Sequence, residues 1–421
     1  MMPETADKTV SLIDPLWIGH HPMYFTQFTE SFLRCGARVI GLCPEPEAAL
    51  TNLRQSLGDG NAELIAERVV FAKLPTGKRS FFNGRFEGDP ARTFARWRHA
   101  SETLAQAEAS AGLRADLVYF PYLDSYLRFL PFPQIPDALL HRPWSGLYLR
   151  NHHHGESDSL SKSLRMLAKG DAILKSRFCR NVGVLDERFI PAMERLTGQE
   201  ITAYPDVTQG GLPEKPYELS ETIRLKASGR GIVGMIGLER RKGFLTMLRT
   251  AALARLTDSP FYFVCAGVHR RGEFSTEELV EIDAAIQGIA DGSITNLHFD
   301  RTAKRIPNES DYNSLFATFD IAWAAYENFQ GSSGTLSKAA LFEKPCIATC
   351  GECIGQRVER YRMGITIPEA DPAAALAALP HLAALKDSSG TPLHPRYSQY
   401  RMDHSRDRLD SILSALLATV C

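Results

Sequence analysis

No apolar run in this 421-residue chain approaches the ~18–20 residues that a membrane span needs. The opening MMPETADKTV lacks the basic and apolar regions of a secretory leader, so no signal peptide is expected. Charge of one sign is missing as well: 48 Lys and Arg against 49 Asp and Glu leave a formal net charge of −1. That balance argues against a partner such as nucleic acid wrapped through a global positive field, though it permits a local basic patch. Cysteine is sparse, with eight residues scattered along the chain rather than set in a disulfide framework. A reduced, soluble, cytoplasmic protein is the expectation. What is present is globular: 44% hydrophobic and 23% charged residues exclude a disordered or fibrous chain. At about 100–200 residues per domain, the length suggests two domains.

Short apolar runs alternate with longer amphipathic ones, which predicts an α/β protein with parallel strands and crossover helices. In the first half, strands are expected at 15–19, 37–43, 115–120, 145–149, 172–175 and 182–185, with a helix over 23–35. Residues 76–90 and 131–143 read as connections without regular structure. Pro- and Gly-rich residues 205–219 mark a domain boundary. The alternation resumes with strands at 231–237, 260–266, 295–299, 320–325 and 345–349. Helices are expected at 243–256, 277–290, 334–342, 371–385 and 403–420. In such sheets ligands bind beyond the carboxyl ends of the strands, and between two such domains the cleft is the default site.

Two turns suit an anion. Residues 237–243 read GLERRKG at a strand-to-helix junction, where Gly237 and Gly243 permit a tight turn. Arg241 and Lys242 would meet a diphosphate there. Residues 330–338 read QGSSGTLSK. Their small-residue stretch Ser332, Ser333, Gly334 and Thr335 sits at a helix N-terminus, whose N–H groups and dipole favour phosphate. Neither turn is a P-loop or a G-x-G-x-x-G fingerprint. No G-x-S-x-G elbow is present. Cys346, Cys350 and Cys353 have the spacing of an iron–sulfur motif, but Cys346 lies within an apolar strand and reads as core.

An ordered set of residues resembles the donor domain of GT-B glycosyltransferases, most closely glycosyltransferase family 4. The set runs Gly237 with Arg241-Lys242-Gly243, Phe263 to Gly267, Tyr312 with Phe319-Asp320-Ile321-Ala322, Ser333-Gly334-Thr335-Leu336 with Lys338-Ala339-Ala340, and Lys344 to Ala348. The resemblance covers roughly residues 205–370. It implies two Rossmann-like α/β/α domains facing across a cleft: 1–205 on the acceptor side, 206–395 on the donor side, and 396–421 crossing back to the first domain. It also implies Arg241 and Lys242 on the donor diphosphate, with Gly237, Gly267, Gln330, Ser332–Thr335 and Lys338 around the donor. The family's Glu-x7-Glu pair falls on Gln330 and Lys338, and Lys338 cannot accept a hydrogen bond as a carboxylate does.

On the acceptor side, Gly19, His20 and His21 resemble the family's Gly-containing loop. The resemblance also places a His after a mid-domain strand near the reacting sugar, which here is His152 or His153. Three adjacent His, 152–154, read as an extended chain whose side chains diverge, which argues against a metal. Asp124, at a strand end, could orient an acceptor hydroxyl or cap a helix. Lys78, Arg79 and Arg85, beside Phe81, Phe82 and Phe86, suit an acceptor-binding or membrane-surface loop.

The resemblance implies transfer of a hexose from a UDP- or GDP-sugar to a saccharide or lipid-linked acceptor in cell-surface glycan or polysaccharide synthesis. Configuration would be retained, with neither metal nor cofactor, and the use of lipid-linked acceptors by the family leaves peripheral contact at the inner face of the membrane open. Two rivals are a non-catalytic glycosyltransferase-like scaffold and a nucleotide-sugar epimerase.

Overall fold

The computed structural model describes residues 8–75, 90–128, 132–155, 160–300 and 306–420. Lys78, Arg79, Phe81, Phe82, Arg85 and Phe86 lie outside them. Contacts divide the chain into two compact units, Met1–Pro205 with Arg406–Cys421, and Asp206–Ser405.

The first unit carries a seven-stranded, wholly parallel sheet. Its strands are β1 Thr9–Ile13, β2 Arg38–Cys43, β3 Val69–Lys73, β4 Leu117–Phe120, β5 Trp144–Tyr148, β6 Cys179–Val184 and β7 Ile201–Ala203. Their spatial order is β3-β2-β1-β4-β5-β6-β7. β1, β4 and β5 are buried along their whole length, as expected for strands covered by helices on both faces.

The helix His21–Arg34 packs an aromatic stripe on this sheet. Phe28 and Phe32 meet Tyr119 with ring centroids 4.8 and 5.2 Å apart, and Phe25 meets Phe71 at 5.6 Å. The last helix, Arg406–Ala418, returns to this unit. Its Leu409, Leu413, Leu416 and Leu417 are buried, and Arg406 pairs with the buried Glu30 at 2.7 Å.

The second unit carries a six-stranded parallel sheet of β8 Gly231–Leu238, β9 Phe261–His269, β10 Leu297–Phe299, β11 Ile321–Ala324, β12 Cys346–Thr349 and β13 Gly364–Ile367. Their order is β10-β9-β8-β11-β12-β13. Two clusters, around Phe244 and Phe263 on one face and Phe316 and Leu336 on the other, sandwich it. Cys346 has no exposed surface, and burial pushes its thiol up to about 12, in keeping with a core role.

Four expectations differ from the structure. Residues 15–19 form no strand: Pro15 has no N–H for a ladder, and Leu16 donates its N–H to Asp14 Oδ1. The strand is the preceding Thr9–Ile13, paired on both sides. Residues 172–175 lie in the 3₁₀ turn Asp171–Lys175, entered through Gly170 at φ 77°. A Cβ at Gly170 would stand 1.5 Å from the Leu127 carbonyl oxygen. Within 131–143 the helix Gln134–Leu140 forms, because Pro136 sits in its first turn, where an N–H has no intrahelical partner. The helix Tyr397–Asp403 stays with the second unit, so only Arg406 onward belongs to the first.

Leu413 is wholly buried against the first unit. Leu413→Ala should destabilise that unit by about 2–5 kcal/mol. Denaturant unfolding followed by hydrogen exchange should show the loss in peptides of residues 8–205 and 406–420 and not in those of 206–405.

Candidate functional site

In each unit the strand order reverses once, between β1 and β4 and between β8 and β11. Crossovers leave in opposite directions at such a point, opening a crevice at the carboxyl ends of the strands.

At the second unit's switch point, β8 ends in Gly237 and Leu238, and the 3₁₀ turn Arg240–Lys242 leads through Gly243 into the helix Phe244–Leu256. Gly243, at φ 73°, presses its backbone on β11's exit: a Cβ there would lie 2.0 Å from the Ala325 oxygen. Lys242 folds back over Gly237, whose φ is 92°, and donates to the Ile236 carbonyl at 3.0 Å. A Cβ on Gly237 would meet that ammonium at 2.5 Å. Gly267, also left-handed, lies beside Gly237 across a bulge in the β8–β9 ladder.

Arg241 is half exposed, donates to Glu239 at 2.7 Å and stacks over Phe329 with 5.4 Å to the ring centre. Burial raises the Glu239 carboxyl, but Lys242 and Arg241 outweigh that and hold it below its ordinary value. Arg240 points elsewhere, to Glu278.

The exit of β11 carries a residue that the sequence reading missed. Glu327 is buried, accepts from Thr246 Oγ1 at 2.5 Å, and its backbone N–H donates to the Arg241 carbonyl at 2.9 Å. The acidic group at this strand end is therefore Glu327, three residues before Gln330, which is exposed. Its signal is plain in retrospect: it is the first carboxylate after the apolar strand.

Ser333 caps the helix Gly334–Leu341 by accepting from Thr335 N. Its hydroxyl and that of Thr335 both meet Tyr326 Oη, at 3.0 and 2.9 Å, which fixes the turn. Ser332 is half-buried, and Gly334 is exposed with open space where a side chain would stand.

Lys338 is not part of this group. Its ammonium is buried and donates to Gln209 O, Asn313 Oδ1 and Glu309. Three acceptors take all three of its protons, leaving none for a ligand. A lysine here can be buried because this pocket is lined with oxygen atoms.

In the first unit, Asp14 follows β1 directly and is fully buried. His21, at the start of its helix, approaches both Asp14 oxygens through Nδ1, at 2.8 and 2.9 Å, and stacks on Tyr122 beyond β4 at 4.1 Å. Burial raises the Asp14 carboxyl despite this partner. Gly19, at φ 61°, and His20 are exposed before it. Asp124 takes the N–H groups of Leu149 and Arg150 at 2.9 and 3.0 Å, tying the exit of β4 to that of β5. Its oxygens serve the backbone rather than a helix cap, and burial raises its carboxyl.

The three histidines do not diverge. Residues His152–Gly155 form a 3₁₀ turn rather than an extended chain, and His153 and His154 both approach Asp171. His153 Nε2 lies 2.5 Å from Asp171 Oδ2, and His154 Nε2 lies 3.3 Å from the same oxygen. Tyr148 donates to Asp171 Oδ1 at 2.6 Å. All four residues are buried. Ligand atoms of His153, His154 and Asp171 lie within 4.8 Å of one another, so this is the group in the first unit that could hold a metal ion, among the described residues. His152 stays half-buried, its basicity lowered by burial and then by Lys169.

With this geometry, full-length structural likeness is informative. HepE from Anabaena, solved in complex with UDP and glucose, matches with a TM-score of 0.61 at 14% identity, over 98% of this chain and 99% of that one. The fold is GT-B. Sucrose-phosphate synthase from Thermosynechococcus elongatus matches over 98% of each chain with a TM-score of 0.64 at 14% identity. A UDP-forming α,α-trehalose-phosphate synthase from Burkholderia vietnamiensis matches over 98% of this chain and 100% of that one, with a TM-score of 0.61 at 14% identity. No family model and no curated protein matches the sequence.

Burial raises the Asp171 carboxyl, but His153 and His154 outweigh it and hold it at about 2, below the ordinary 3.8. The charged form thus stabilises the first unit at neutral pH, and this contribution is lost as the pH falls from 3.8 toward 2. Asp171→Asn should cost about 2 kcal/mol at neutral pH, with the deficit shrinking across that window. Urea titrations at neutral and acidic pH would measure it, and a deficit independent of pH would rule out the charge as its source.

Proposed function

We propose that this protein is a glycosyltransferase that moves a hexose from a nucleoside-diphosphate sugar, UDP- or GDP-linked, to a hydroxyl of a saccharide or lipid-linked acceptor. The observation that carries this reading is the switch point of the second unit. There Lys242, Arg241 and the N-terminus of the helix Gly334–Leu341 supply positive groups, with the buried carboxylate of Glu327 beside them. The HepE complexes hold UDP and UDP-glucose in the same fold, which supports a nucleotide-sugar donor here.

Among the described residues, Lys242 donates to one acceptor, the Ile236 carbonyl, so two of its protons remain for a diphosphate. Arg241 would exchange Glu239 for phosphate oxygens, a bidentate contact that suits guanidinium geometry. Both cations then stabilise the charge that grows on the leaving diphosphate as the anomeric C–O bond breaks. Glu327 would accept hydrogen bonds from donor hydroxyls. On the acceptor side, His21, oriented by Asp14, has Nε2 left to contact the attacking hydroxyl. The resemblance adds retention of configuration, independence of metal, a cytoplasmic site and a place in glycan or polysaccharide assembly.

The scaffold reading starts from Gln330 and Lys338 standing where the family has its acidic pair; the buried carboxylate of Glu327 at the same strand end favours the transferase reading over it.

Titration calorimetry with UDP, GDP, ADP and dTDP tests the donor assignment. One nucleotide should bind in preference to the others, and Arg241→Ala and Lys242→Ala should each weaken it by about tenfold or more. Unchanged affinity in both variants would remove the phosphate site. Lys338→Met should instead lower stability by about 1–3 kcal/mol, by leaving buried oxygens unpartnered, with nucleotide affinity retained.

A further inference from the structure

The interior of the first unit holds imidazole nitrogens with nothing to bond. His153 and His154 are 1% and 3% exposed. Among the described residues, His153 Nδ1 and both ring nitrogens of His154 have no hydrogen-bond partner. A polar group that gives up water and gains no partner is costly, so such groups are rare in a folded interior. A set of them beside a buried carboxylate points to a ligand that the chain itself does not supply.

Asp171 is that carboxylate. Its Oδ1 accepts from Tyr148 Oη at 2.6 Å, and its Oδ2 faces the two rings. His153 Nε2 stands 2.5 Å from Oδ2, and His154 Nε2 stands 3.3 Å from it. The second contact has the distance of a hydrogen bond but not its direction. A proton shared with His153 accounts for the first contact and leaves His154 without a role.

A metal ion accounts for both. A tetrahedral ion with nitrogen and oxygen ligands at about 2.0–2.2 Å holds those ligand atoms roughly 3.3–3.6 Å apart. His154 Nε2 and Asp171 Oδ2 already have this spacing, and all three ligand atoms lie within 4.8 Å of one another. His153 would withdraw from Oδ2 by roughly 1 Å to reach it. Two imidazoles with one carboxylate suit zinc and its neighbours, whereas magnesium and calcium take oxygen ligands. Tyr148 is the kind of hydrogen-bond partner that orients a ligating carboxylate.

We propose that His153, His154 and Asp171 bind a divalent transition-metal ion of the zinc class, with a water molecule in the fourth position. The ion fastens the His152–Gly155 turn to the Asp171–Lys175 turn, on either side of the helix Leu160–Lys169. Its role is to stabilise the first unit. No step of the transfer is routed through it, and it does not depend on the transferase reading.

The test strips the full chain with a chelator and titrates it with Co²⁺, whose visible absorption reports tetrahedral coordination, and then with Zn²⁺. The expected result is one Co²⁺ per chain with strong visible bands, displaced by Zn²⁺. At a hundredfold excess over its dissociation constant, either ion should raise the thermal midpoint by about 5 °C or more, and Mg²⁺ should not. His154→Phe keeps the ring's place and removes nitrogens that bond to nothing in the chain. It should fold without the ion as well as wild type, bind Co²⁺ and Zn²⁺ at least about tenfold more weakly, and lose the thermal shift. Tyr148→Phe, which removes only the hydroxyl that orients Asp171, should weaken binding by about tenfold.

Wild-type protein that binds neither ion would overturn the proposal. So would bound Co²⁺ without the tetrahedral spectrum, or affinity that His154→Phe leaves unchanged; either result places the ion on other histidines or cysteines. Unchanged affinity in Tyr148→Phe overturns it equally, and decides the matter should His154→Phe fold poorly. The assay contains no nucleotide, so its outcome is separate from that of the nucleotide titration.

Discussion

Parallel pairing is the constraint from which the rest follows. A parallel strand cannot be reached by a hairpin, so every step from one strand to the next within a sheet is a crossover that brings the chain back to the same starting edge. Every loop that leaves a strand's carboxyl end therefore gathers at one edge of its sheet. In the first unit these loops deliver Asp14, Tyr122, Asp124 and the His152–Gly155 turn; in the second they deliver Arg241, Lys242, Glu327 and Ser333. The single reversal of strand order in each sheet then separates two neighbouring crossovers and leaves room for a ligand.

Charge within these units survives burial only where partners compensate it. Asp171 has Tyr148 and two histidines, Asp14 has His21, and Lys338 has three oxygens. These sites look alike by burial but differ in what they leave over. Lys338 is saturated and serves to hold the 209–211 segment, to which Asn313 also donates. His21 spends one ring nitrogen on Asp14 and keeps the other. Lys242, half-buried, spends one proton on a carbonyl. The groups with unspent capacity stand at the switch points, which is where a reaction needs them.

Glycine acts through close approach at the same places. Gly243 lets one turn touch the exit of β11, and Gly237 makes space for the Lys242 ammonium. A side chain at either position would push the cation from the strand end, so the basic residues of the 237–243 turn depend on its glycines.

Much of this was legible along the chain. Apolar runs between amphipathic ones determine a parallel α/β protein, because strands covered on both faces must be apolar throughout. The break near residue 205 and the cationic turn at 237–243 are equally local features. Boundaries failed where a local signal was ambiguous: PLWIG is as apolar as TVSLI, and only the pairing of Thr9–Ile13 with two neighbours decides between them. Convergence could not be read either. His153 and His154 meet on Asp171, which the chain brings back to the His152–Gly155 turn from beyond the following helix. Lys338 faces oxygens from residues 209, 309 and 313, and Glu327 donates its N–H to the Arg241 carbonyl between the turns that leave neighbouring strands. Periodicity and composition, which are properties of neighbours in sequence, determined the class of fold and its division. The identity of each site was decided by contacts between residues separated along the chain, which exist only once the sheets have formed.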